Sequence, residues 1–321
     1  MDVFFLTLSQ MLKMFTFIMV GYVLKKGKIL PQSSELALSR LETFFFVPAL
    51  CIYSWMENCT PKTLRENSVL ILYGLVIIIF AIGLAYLLCG IFVRKADTEE
   101  AEYERNIYKY ALTFGNYGYM GYFIVLGVWG NEMFFKYSMF TLCIGLACTS
   151  WGMAILIPKK YGNSSLESVV KRVFTPPVIG ITIGMVAGLL NVKEFVPDFL
   201  MSVLSDASDC MGPVAMVLAG FVIGGYDIKE LFSNKKVYAA SAMRLILIPA
   251  GLMVLLKILG ISDEIMALVL IAYATPPGLN IIVYPAAYGG ETHTGASMTM
   301  IASMLSIITI PIMYLIFVVL L

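Results

Sequence analysis

Apolar residues run along this chain in long blocks separated by short polar breaks. A bilayer span needs about 20 such residues. The pattern predicts ten spanning helices, over residues 3–24, 34–57, 67–93, 106–127, 132–157, 174–191, 197–225, 236–259, 263–287 and 292–320. Most connections are short. The most polar one, RKADTEEAEYER at 94–105, reads as a solvated loop. Two spans carry polar, helix-weakening clusters near their centres: FGNYGYMG at 114–121 and ATPPGLN at 274–280.

Composition agrees with a polytopic membrane protein. Of 321 residues, 60% are hydrophobic and only 13% charged, against about 25% charged in soluble domains. The net charge of +1 gives no basis for binding nucleic acid. The six cysteines form no CxxC pair and read as small buried hydrophobes. The first apolar run lacks a basic leader and is followed by Lys25, Lys26 and Lys28, so it is expected to be a retained span. No HExxH, GxSxG or Walker A pattern is present, which argues against an enzyme.

Charge orients the spans. The loops after spans 1, 3, 5 and 7 hold most of the lysines and arginines, among them Arg94, Lys95, Lys159, Lys160, Lys171, Arg172, Lys229 and Lys235. The loops after even spans hold few, such as Lys62, Arg65 and Lys193. The positive-inside rule then makes the odd loops cytoplasmic and both termini extracytoplasmic, in a cell membrane.

The chain also repeats itself. Pro31, Ser39, Pro48 and Asn116 match Pro197, Ser205, Pro213 and Asn280, at offsets of 166, 166, 165 and 164. Each copy, 1–160 and 161–321, holds five spans. Five is odd, so the second copy enters the membrane from the opposite side. The expected fold is all-α, with ten transmembrane helices in two inverted five-helix repeats, an architecture of secondary transporters.

The two polar clusters fall at matching places, in spans 4 and 9. Gly115, Gly118 and Gly121 loosen the first, and Pro276, Pro277 and Gly278 break the second. Irregular backbone inside a membrane is tolerated only where protein or a cavity covers it. Matched interruptions therefore point to a substrate site. Gly115, Asn116, Tyr117, Gly118, Tyr119, Thr275, Pro276, Pro277, Gly278 and Asn280 are the candidate binding residues. A mid-membrane helix N-terminus offers free N–H groups and partial positive charge, which favour an anion. An organic carboxylate fits best.

Ionisable residues inside spans are costly and are functional candidates for that reason. Glu42, Asp206, Asp209 and Arg244 fit this description. The carboxylates can take a coupling proton; Arg244 can balance an anion or steady the broken helices. Lys13 and His293 have better readings as a cavity-facing lysine and a surface histidine. The hydroxyl ladder of span 10, including Ser303 and Ser306, is a candidate Na⁺ site or else bonds to its own helix.

FGNYGYMGYFIV, SDCMGPVAMVLAG, MRLILIP, and TPPGLNIIVYPAAYGG followed by SMLSIITIPI resemble the auxin efflux carrier (PIN-like) family of the bile acid/anion symporter superfamily. The resemblance spans essentially the whole chain. It implies that helices 4 and 9 cross near the membrane centre. It implies a scaffold of helices 1, 2, 6 and 7, often the homodimer contact, and a moving transport domain of helices 3–5 and 8–10. Bacterial members resemble malate and malonate permeases; plant members export auxin. The chain departs from the plant pattern in lacking a long central loop and a proline before Asn116. The expected function is a secondary active carrier of small organic anions, coupled to Na⁺, H⁺ or the substrate gradient itself and needing no other cofactor. The alternatives are a transport-dead ligand sensor in the membrane and a passive anion channel.

Overall fold

In lipid a backbone must satisfy its own N–H and C=O groups, so apolar runs fold as helices. The structure, a computed structural model, describes residues 2–158 and 174–320, and among these no strand occurs. The main helices are α1 (Asp2–Lys26), α2 (Ser34–Asn58), α3 (Pro61–Ile91), α4 (Glu99–Thr113), α5 (Met120–Leu156), α6 (Pro176–Leu189), α7 (Asp198–Ile223), α8 (Lys235–Ile258), α9 (Asp263–Ala274), α10 (Asn280–Ala287) and α11 (His293–Leu320). Seven are long and apolar enough to cross a membrane: α1, α2, α3, α5, α7, α8 and α11.

The other three expected spans differ from these. The span at 174–191 is the shorter apolar helix α6. The span at 106–127 is interrupted after α4 and resumes as the start of α5; the span at 263–287 is interrupted between α9 and α10. Past the fourth span α5 runs on, but it bends at Gly130, whose φ of 77° and ψ of −166° are not helical.

One expectation is corrected. Residues 99–105, read as loop, form the first turns of α4. Thr98 caps this helix by accepting the Ala101 N–H, and Glu99, Glu100 and Glu102 sit in its first turn, where the helix dipole favours acids. The acidic cluster is a helix start, and the apolar pattern alone cannot see one.

Glycine sets two close helix pairs. Gly21 and Gly220 put the backbones of α1 and α7 in contact, with Gly21 against Val217 and Phe221, Gly220 against Ile18 and Tyr22, and Gly224 against Lys25. In α6, Gly180 meets Pro48, Gly184 meets Ile52 and Trp55, and Gly188 meets Cys59 of α2. Contact positions rise together along both members of each pair, so α1 runs parallel to α7 and α2 parallel to α6. Small residues let helices pack this closely where water supplies no driving force.

The deepest element is α9. Every residue from Met266 to Ala274 is buried, as expected of a helix apolar on all sides. Widened π turns occur at Glu42–Phe46 in α2 and Met243–Leu247 in α8, just before Pro48 and Pro249. A proline lacks an N–H and crowds the carbonyl four residues back, and a widened turn relieves both. Each turn carries one ionisable residue inward: Glu42 is 0% exposed and Arg244 1%.

Candidate functional site

The site is built where the two helix breaks meet. The backbone leaves α4 at Phe114, in an extended conformation. It leaves α9 at Thr275, also extended, because the residue before a proline is pushed out of the helical region. Pro276 and Pro277 then contribute no N–H. The Asn116 N–H donates to the Pro276 carbonyl at 2.7 Å and ties the two breaks together. The Asn116 side-chain oxygen accepts the Tyr119 and Met120 N–H groups at 3.3 and 3.4 Å and so starts α5.

The three glycines of the first break have three different surroundings. A methyl on Gly115 would overlap the Arg244 guanidinium and the Thr275 hydroxyl. One on Gly121 would overlap the Tyr137 hydroxyl, and one on Gly118 would meet nothing within 4 Å. They are therefore not a single helix-packing face.

Around the breaks lies a cavity of about 340 Å³. Gly115, Asn116, Tyr117, Gly118 and Tyr119 line one side, and Gly278, Leu279 and Asn280 another. Ser39 and Thr43 of α2, Thr141 and Cys148 of α5, and Thr175, Pro176 and Pro177 at the start of α6 complete it, with the Tyr110, Tyr122 and Tyr284 rings. Among the described residues, no Asp, Glu, Lys, Arg or His lines it. The backbone N–H groups of Gly115, Tyr117, Gly118, Gly278 and Leu279, all on lining residues, have no partner among the described residues. The positive ends of α5 and α10 thus open on this space.

The opposite, negative helix ends turn away from it, toward Arg244. Its Nη1 donates to the Leu112 and Thr113 carbonyls at the end of α4, at 3.1 and 3.3 Å. Its Nη2 donates to Ala272 O and its Nε to Thr275 O at the end of α9, both at 3.2 Å. The Tyr273 ring lies 5.4 Å from the guanidinium carbon. A second hollow of about 570 Å³ lies at the start of α4, but Glu99, Glu100, Glu102, Glu104 and Glu291 line it and repel an anion.

A family of membrane transport proteins matches over residues 6–168 and 162–314. The chain belongs to this family. It is the auxin efflux carrier (PIN-like) group that the sequence motifs resemble. An uncharacterized transporter of Methanocaldococcus jannaschii is 22% identical over 295 residues, covering 91% of this chain and 93% of the relative. The protein is a multi-pass membrane transporter and not an enzyme.

In this transporter seven of the ten expected binding residues line the cavity. Thr275, Pro276 and Pro277 are buried behind it, where Thr275 bonds to Ala272 O at 3.2 Å. Arg244 is also behind the lining, bonded to backbone and not facing the cavity. Asp206 and Asp209 were expected to be buried charges. They lie instead on the exposed face of α7 with Phe199, Val203 and Cys210, because the opposite face, carrying Ala207, Ser208 and Met211, packs inward. Lys13 is exposed, and His293 is half-exposed, 4.0 Å from Glu230. Ser303 and Ser306 are buried, and the Ser306 hydroxyl donates to Ser303 O at 2.7 Å within its own helix. Among the described residues no group of three His, Cys, Asp or Glu is placed to hold a metal.

Sequence reasoning missed Thr175, Pro176 and Pro177. A signal existed, since the same Thr-Pro-Pro recurs at 275–277. Tyr117, Tyr119 and Tyr122 were expected as an aromatic wall and line the cavity, but Tyr110, Tyr284, Thr43 and Thr141 were missed, since spacing gives no cue to them.

Glu42 stands apart. Both its carboxyl oxygens are buried without a hydrogen-bond partner among the described residues, within electrostatic reach of Tyr119. An unpartnered buried polar group costs about 1–3 kcal/mol. Glu42→Met, of similar volume, is expected to raise the melting temperature in detergent. A gain in stability with loss of flux would mark Glu42 as kept for function; a fall in melting temperature would show that it has a partner.

Proposed function

We propose that this transporter is a secondary active carrier of small organic anions, carboxylates above all, working by alternating access at the meeting point of the two helix breaks. The observation that carries this reading is the cavity itself. Among the described residues it has free N–H groups from two helix starts and no charged side chain. An anion there gains hydrogen bonds and the fields of two helix dipoles. A carrier must also release what it binds, and the lack of a fixed cation among the described lining residues favours release.

The lining also bears on the substrate. A C4 dicarboxylate such as malate places two charges where the described lining offers only neutral donors. A monocarboxylate with an apolar or aromatic body uses the N–H groups at one end and the tyrosine wall at the other. Auxin-like acids therefore rank ahead of malate and malonate.

Ten passes in two inverted repeats are part of this proposal. The two glycine-mediated pairs support it, since each joins one helix of the first half to one of the second, and exchanging the halves turns one pair into the other. In an elevator-type cycle α1, α2, α6 and α7 stay fixed, as scaffold and homodimer contact, while α3 to α5 and α8 to α11 move the site across the plasma membrane. Both termini are then extracytoplasmic.

Counterflow in proteoliposomes tests the reading. Vesicles loaded with an unlabelled carboxylate should accumulate the labelled acid. Asn116→Ala, which removes the cap of α5 and an amide at the cavity, should cut that flux by about tenfold or more, the worth of a hydrogen bond to a charged group. Full flux in Asn116→Ala would remove the site from this place. Binding without any flux would make the protein a sensor, and flux without counterflow a channel.

A further inference from the structure

Carriers with broken helices commonly use the negative half-helix ends and unwound carbonyls to hold a coupling cation. In this protein those oxygens are already occupied. We infer that Arg244 is the resident cation of the site: it fills, with a covalently attached charge, the seat of a bound alkali cation, so the anion site is complete without Na⁺.

Three observations carry this. First, Arg244 gathers carbonyls from both breaks, Leu112 and Thr113 from one and Ala272 and Thr275 from the other, at 3.1 to 3.3 Å. Helix C-termini carry about half a negative charge each, and here two of them converge on one guanidinium. Second, no carboxylate pairs with Arg244 among the described residues. A fully buried cation needs compensation, and the carbonyls are what supplies it. Third, Gly115 is the only residue type that leaves the guanidinium its space, because any Cβ there would overlap it. A small alkali ion needs no such clearance.

The consequence is a division of labour. The positive helix ends face the cavity and meet the substrate. The negative ends are neutralised from behind, so their repulsion of an anion is cancelled permanently and not once per cycle. A Na⁺ at this place would find its oxygens engaged and a like charge beside it.

This inference rests on the carrier reading for its meaning, but its test does not. The purified protein is melted in detergent in NaCl and then in choline chloride at equal ionic strength. The expected result is one melting temperature in both salts. Arg244→Ala should melt several degrees lower, and millimolar guanidinium should restore part of the loss where choline does not. Arg244→Lys, which keeps the charge with fewer donors, should fall between. If Arg244→Ala yields no folded protein, the parent and Arg244→Lys decide. A saturable stabilisation of the parent by Na⁺ over choline would overturn the inference. So would an Arg244→Ala protein as stable as the parent and indifferent to guanidinium. A parent that ignores Na⁺ and binds no carboxylate would sink the carrier reading while leaving the resident cation in place.

Discussion

Gly115→Ala is expected to lower stability by about 3 kcal/mol and to abolish flux. A single methyl is a small change, and at most glycines it would be tolerated. Here it would collide with the Arg244 guanidinium, the Thr275 hydroxyl and the Ala272 carbonyl. None can retreat cheaply. Arg244 is held by four carbonyls and Thr275 by one. Overpacking a tight core costs about 1–3 kcal/mol, and this site is at the upper end because it also breaks charge-assisted bonds. Thermal melting and counterflow check it. Gly118→Ala, with nothing within 4 Å of its Cβ, is the matched control and should melt like the parent. Equal melting of both variants would contradict the placement of Arg244. In an Arg244→Ala background the penalty of Gly115→Ala should shrink, a non-additivity that reports contact.

The second large effect is expected at the helix pairs. Gly220→Leu would drive a side chain into the backbone of α1 at Ile18, and Gly184→Leu would do the same to α2 at Ile52 and Trp55. Backbone atoms cannot change rotamer to make room. Each substitution should cost more than about 3 kcal/mol and remove the monodisperse peak in gel filtration. The exposed Gly251, with nothing near its Cβ, should accept leucine. A well-folded Gly220→Leu protein would mean that α1 and α7 do not meet through glycine.

Several parts of this fold were legible in the sequence for physical reasons. Long apolar runs have one meaning in a bilayer, so the helices lie where the runs lie. The breaks at 114–119 and 275–279 were legible because glycine and paired prolines are local signals with local causes. Most of the cavity-lining backbone could be read for the same reason. What was hidden depends on distant partners. That Arg244 would bond to carbonyls of two other helices has no residue-type signature, since every residue has a carbonyl. Asp206 and Asp209 looked like buried charges because their helix is apolar. Which face packs inward was decided by α1 and α2. The start of α4 at Glu99 was masked by its charge, although Thr98 marks a cap. The Thr-Pro-Pro at 175–177 had a signal but lies outside the spans that carry the breaks.

The parallel pairing of α1 with α7 and α2 with α6 has a consequence for how the chain is made. Helices α1 and α2 are synthesised first, but their glycine-facing partners come from beyond residue 175. During translation these two helices enter the bilayer with their contact faces bare, Ile18 and Trp55 among them. Neighbouring hairpins cannot be finished one at a time as they emerge. The first half of the chain is an open clasp until the second half closes on it, and the commitment to a folded transporter is made late, when α6 and α7 arrive.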